Sequence, residues 1–126
     1  MASGDRPDIS MTPDELEDFL SSARAVVLAG LASNGWPLAT LASATATPGS
    51  VRATVDADDL IVASIDEGGS VCCVLDAGIS YYEIKGAVLR GRVVGLSDPG
   101  GTCCVEVAID HVVSFDFSKL PEAPRT

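Results

Sequence analysis

Asn34-Gly35 stands between two apolar runs, Ala25 to Ala32 (AVVLAGLA) and the segment opening at Pro37 (PLATLASAT). Asn-Gly tolerates the positive φ angles of a two-residue hairpin turn better than almost any other dipeptide, so the two runs are predicted to pair as antiparallel strands. Pro48-Gly49 marks another turn into a third strand, Ser50 to Val55. Val71 to Asp76, Tyr81 to Leu96 and Thr102 to Phe117 read as three more strands. One helix precedes them. Thr12-Pro13-Asp14-Glu15 offers a cap, a Pro at the first helical position and a capping-box Glu. Leu16, Phe19, Leu20 and Ala23 then form one apolar stripe.

Residues 57–66 read two ways. Leu60-Ile61-Val62-Ala63-Ser64-Ile65 is rich in strand-forming residues, yet Asp56-Ala57-Asp58-Asp59 before it is a helix start, with Asp56 or Asp58 as cap. Strands with short turns and one or two short helices predict an all-β barrel. The 126 residues make one domain, with residues 1–11 and 121–126 as flexible tails around a folded unit over 12–120.

Charge excludes several partners. A net charge of −10 argues against nucleic acid and against anionic membrane surfaces. No apolar run is long enough to span a membrane, and the opening MASGDRPDISM lacks the basic start and apolar core of a signal peptide, so a cytoplasmic protein is expected. Hydrophobic residues reach 47%, which in so small a chain points to a buried interface between copies, hence a homodimer. Cys72-Cys73 and Cys103-Cys104 are adjacent pairs whose side chains leave a strand on opposite faces. Neither pair chelates a metal as a unit, and they are expected as small buried hydrophobes.

Taken in order, four pieces resemble the pyridoxamine 5′-phosphate oxidase-like family. They are the capped helix running into AVVLAGLASNGWPLAT, GSVCCVLD, SYYEIKGAVLRGRVVGL with its Y-x-x-x-x-G-x-x-x-x-G spacing, and VEVAIDHVVSFDFSKLP. The resemblance implies a six-stranded antiparallel split β-barrel, a homodimer, and FMN or a deazaflavin held between subunits for oxidoreductase chemistry. It also makes residues 57–66 a helix, the element whose basic residues hold the cofactor phosphate in that family.

At the positions of the family's Arg-Lys pair this chain has Leu60-Ile61, and the family's Asn is Ser64. Two lost charge-assisted contacts cost about 3 to 6 kcal/mol, roughly two to four decades in Kd. Asp56, Asp58 and Asp59 further disfavour an anion there. The cofactor-binding candidates are therefore Arg52, Thr54 and Val55 on the third strand, Leu60, Ile61 and Ser64 on the helix, and Lys119, which matches the Lys of the closing motif and would reach across a dimer interface. Arg24 is expected to end the first helix, and Arg90 and Arg92 to share a salt-bridged outer face. Trp36 is expected as a barrel plug or interface anchor, Tyr81 and Tyr82 to flank a strand start, and His111 to be structural. The small residues of the second strand leave room for a backbone or a ligand. A catalytic group does not stand out, which a flavin enzyme tolerates because the cofactor carries the redox chemistry. The alternative is a member that has lost its flavin and persists as a dimeric small-molecule-binding or structural module.

Overall fold

The computed structural model describes residues 7–78 and 83–121. Helix α1 (Pro13–Ser21) leads into six strands: β1 (Ala25–Leu31), β2 (Pro37–Thr47), β3 (Ser50–Asp56), β4 (Ser70–Ala77), β5 (Lys85–Ser97) and β6 (Thr102–Asp116). They close an antiparallel barrel in the order β1-β2-β3-β6-β5-β4. The expected fold class and strand order along the chain are both present. Tyr81 and Tyr82 lie outside the described residues.

Alternation decides what fills the barrel. Val26 and Leu28 of β1, Val51, Ala53 and Val55 of β3, Cys73 and Leu75 of β4, Leu89 and Val93 of β5, and Val105 and Val107 of β6 point inward and are buried. Of the cysteine pairs, Cys73 and Cys103 are buried while Cys72 and Cys104 are half-buried; all four are free thiols. Burial pushes the Cys73 thiol up to about 12, with Cys72 adding to the rise, so it is inert.

The capping box of α1 forms as its sequence requires. Glu15 N donates to Thr12 Oγ1 at 3.2 Å, and Thr12 N donates to Glu15 Oε1 at 2.8 Å. Thr12→Ala is expected to cost about 1 kcal/mol, read as a lower urea midpoint at unchanged m-value. Phe19 and Leu20 of the helix sit in the same buried cluster as Ala42, Ala44 and Ala46 of β2. On its inner face, then, the small-residue strand makes room for the helix. Residues before α1 are also tied down: Asp116 N donates to Ile9 O at 2.7 Å and Met11 N to Ser114 Oγ at 2.9 Å. The end of the expected N-terminal tail therefore packs along β6.

Two features shape the barrel wall. Register shifts between Arg90 and Gly91 and between Val93 and Gly95 bend the long β5–β6 hairpin. At the first shift, a Cβ on Gly91 would stand 2.0 Å from Ala108 O. The second feature is the seam between β1 and β4, which pairs only Val27 with Val74, Leu28 with Cys73 and Ala29 with Cys72. Beyond Ala29 and Cys72 the two strands part.

Residues 60–64 form a 3₁₀ helix of five residues, LIVAS. The helical reading of this segment holds, but as a tighter turn than an α-helix, in keeping with its short length and its β-branched Ile61 and Val62. Its cap is Asp59 rather than Asp56 or Asp58, with Ile61 N donating to Asp59 Oδ1 at 3.0 Å.

Candidate functional site

The outer face of β2 and β3 carries what the inner face does not: hydroxyls. Thr40, Ser43 and Thr54, with Leu41, Asp56, Asp59, Thr102 and Val55, line a groove of about 390 Å³. Ser43 and Thr54 are cross-strand partners, so their side chains stand beside one another on the wall. A second hollow of about 290 Å³, lined by Leu38, Ala39, Thr40, Asp59, Leu60 and Ile61, adjoins it. Thr40 and Asp59 belong to both, and Thr40 Oγ1 donates to Asp59 Oδ2 at 2.7 Å between them.

Four of the residues singled out from the sequence, Thr54, Val55, Leu60 and Ile61, thus gather along one wall. They are not equivalent. Thr54 is half-buried and faces out, whereas the Val55 side chain is buried in the barrel. Leu60 is 77% exposed and Ile61 1% exposed, so only the first of the pair offers a side chain to the groove. Ser64 spends its hydroxyl on Ile61 O at 2.8 Å. Arg52 faces out two residues before Thr54 but is paired with Glu106 at 2.6 Å. Lys119 sits elsewhere, donating to Ser10 O at 3.0 Å and to Glu15 at the start of α1.

Asp59 is the fixed charge of the groove. The hydrogen bond from Ile61 N, and then that from Thr40, hold its carboxyl below the ordinary range. A depressed carboxylate pKa stabilises the fold above the unfolded value near 3.8, and that contribution is lost as pH falls through the folded value. Urea midpoints of wild type are therefore expected to fall below about pH 4 more steeply than those of Asp59→Asn.

A flat, polar ring fits this groove: hydroxyls can meet its edge, and Leu41, 74% exposed, can cover its face. A phosphate does not fit it within one chain. The groove is lined by the carboxylates of Asp56 and Asp59, and among its lining residues there is no cation.

Sequence reasoning passed over a larger cleft. Where β1 and β4 part, Ala29, Gly30, Leu31, Pro37, Val71 and Cys72 face Arg90, Arg92, Asp110 and His111 across about 660 Å³. Arg90 and Arg92 do share an outer face, but the expected ion pairs are missing among the described residues. Arg92 donates to Gly68 O at 3.2 Å, and among the described residues Arg90 has neither a hydrogen-bond nor an ion-pair partner. His111 is exposed on the cleft rim. Trp36, 70% exposed beside the hairpin turn, is no plug of this barrel. The shared face of Arg90 and Arg92 was visible in the sequence, but the approach of His111 comes from the β5–β6 register and the hollow from where β1 leaves β4.

No family model and no curated protein matches the sequence. Solved structures do. A conserved hypothetical protein of Mycobacterium tuberculosis superposes with a TM-score of 0.76 at 19% identity, over 96% of each chain. The FAD binding protein of Mycobacterium smegmatis gives 0.66 at 13%, over 82% of this chain and 95% of its own. An F420 reductase gives 0.64 at 14%, over 81% and 98%. Proteins assigned as pyridoxamine 5′-phosphate oxidases from Listeria innocua and Corynebacterium glutamicum have the same architecture. The chain therefore has the fold of the pyridoxamine 5′-phosphate oxidase-like split barrels.

Proposed function

We propose that the protein is a homodimeric split barrel that binds a flavin or deazaflavin by its ring in the groove over Ser43 and Thr54, and acts as an oxidoreductase through it. The observation that carries this is the hydroxyl-lined, ring-sized groove on the outer wall of β2 and β3. It is supported by the shared fold of an FAD binding protein and an F420 reductase. Such a ligand supplies hydride chemistry when bound; the chain's residues bind and orient it. Thr40 and Thr54 meet the ring edge, and Leu41 covers one face. Four free thiols suit a reducing, cytoplasmic setting.

The homodimer rests on an apolar row. Leu41, Val27, Val74, Val88 and Val113 are successive cross-strand partners over five strands, all turned outward. Leu41 and Val113 are more than half exposed in the single chain, and a continuous stripe of this kind is characteristic of a covered surface.

Fluorescence titration with riboflavin, FMN and a deazaflavin tests the reading. Saturable binding in the micromolar range or tighter is expected, weakened about three- to tenfold by Thr54→Ala through one lost hydrogen bond. Failure of all three ligands to bind would overturn it. The second reading would then stand, a binding module for an uncharged or cationic small molecule. Its favouring observation is the ionised Asp59 beside an exposed Leu60.

A further inference from the structure

The first bulge of the β5–β6 hairpin places an extra residue. β5 runs directly from Arg90 to Gly91, while their partners on β6, His111 and Ile109, are separated by Asp110. Strict alternation would send Asp110 and His111 to opposite faces. The extra residue turns both outward, where both are exposed and line the cleft between β1 and β4. Gly91 permits the bulge, since any side chain there would strike the backbone of Ala108. A carboxylate is thereby set on the same cleft wall as Arg90.

Two opposite charges on one wall can satisfy each other. Here they do not: among the described residues neither Arg90 nor Asp110 has an ion-pair or hydrogen-bond partner, each other included. Arg92, the third charged residue of the cleft, is held by Gly68 O at 3.2 Å. The polar end of the cleft thus offers one free cation and one free carboxylate. The other end is apolar. Gly30, Leu31, Pro37, Val71 and Cys72 wall a space of about 660 Å³, within the range of small-molecule sites.

We propose that this cleft binds a free α-amino acid with an apolar side chain, Arg90 taking its carboxylate, Asp110 its ammonium and the apolar walls its side chain. A zwitterion suits the wall better than a single charge, because Asp110 repels a simple anion at Arg90 and Arg90 repels a simple cation at Asp110. The guanidinium offers a carboxylate two parallel N–H donors, and Asp110 accepts from an ammonium, so each charge of the ligand meets a charge-assisted partner. The cleft shares no lining residue with the groove over Ser43 and Thr54, so the inference stands apart from the flavin reading. Every group it uses comes from one chain. Binding is therefore expected whether the chain is single or paired along the apolar row.

Calorimetric titration of the whole chain with four compounds tests the assignment. L-phenylalanine carries both charges and an apolar body, phenylpropionate lacks the ammonium, phenethylamine lacks the carboxylate, and glycine lacks the body. Phenylalanine is expected to bind with a Kd below about 1 mM, and each of the others about tenfold more weakly. Asp110→Asn is expected to erase the preference over phenylpropionate and keep that over phenethylamine; Arg90→Gln does the reverse. Both positions are exposed, and a Tm within about 2 °C of wild type shows that each variant is folded. Amide shifts on adding phenylalanine to isotope-labelled wild type are expected to centre on Gly30, Val71 and Gly91. No binding of phenylalanine, equal or tighter binding of phenylpropionate, or shifts centred on Thr54 would each overturn the proposal. Preferences that survive both substitutions overturn it too, by showing that other groups hold the charges.

Discussion

Ile61→Lys is expected to destabilise the protein by about 4 kcal/mol or more, enough to leave it largely unfolded at room temperature, whereas Leu60→Arg one residue earlier stays within about 0.5 kcal/mol of wild type. The difference lies in where the 3₁₀ helix turns the two side chains. Ile61 is buried in the barrel cluster with Ile65, Leu28 and Leu20. An ammonium placed there loses its hydration and meets no carboxylate, because among the described residues this core includes no charged or polar side chain. Leu60 is almost free in solvent on the groove rim. Urea denaturation of the two single variants gives the comparison directly. The same pair separates stability from binding: Leu60→Arg is expected to raise FMN affinity about tenfold over riboflavin by adding a charge-assisted contact. A folded, near-wild-type Ile61→Lys would mean that the 3₁₀ helix does not seat Ile61 in the core.

Gly91→Ala is expected to cost about 3 kcal/mol or more and to lower Tm by roughly 10 °C, for one added methyl group. The new Cβ would fall 2.0 Å from the carbonyl oxygen of Ala108 and 2.8 Å from its carbon. Those atoms belong to the backbone of β6 at the bulge, so relief requires the two longest strands to separate. Gly49→Ala is the control: nothing lies within 4 Å of its Cβ, and Tm should hold within about 2 °C. An equal shift in both variants would show that chain entropy, rather than the close approach, governs position 91.

The second glycine of the Y-x-x-x-x-G-x-x-x-x-G spacing thus has a physical reason that the motif alone did not supply. Much else was legible. Period-two burial and the Thr12 cap are local properties, and both appear in the fold as read; the hairpin at Asn34-Gly35 forms too, but as a wider turn in which Ala32 N donates to Trp36 O at 2.8 Å and Gly35 alone of the pair takes a positive φ. The missing basic pair was legible as composition, but not the opposite fates of Leu60 and Ile61, which depend on a helix of only five residues and its phase. Arg52 looked available because its partner Glu106 lies 54 positions away. The partners of Lys119 within the chain were hidden for the same reason, since its bonds to Ser10 and Glu15 span more than a hundred positions. Arg90 looked like an ordinary outer-face residue, and the fold places it on a cleft with Arg92, Asp110 and His111, with no ion pair to it among the described residues.

The three residue pairs joining β1 to β4 give the barrel a single short stitch. Elsewhere the hoop is held by long ladders, up to the hairpin of β5 and β6. Amides at the stitch should exchange with solvent through a local opening long before the rest of the sheet does. Once it parts, the closed hoop becomes an open six-stranded sheet with β1 and β4 as bare edges, the geometry on which other chains add strands. Closed hoop and bare-edged sheet thus differ by three residue pairs, so the seam between β1 and β4 is where growth of the sheet by strand addition would begin.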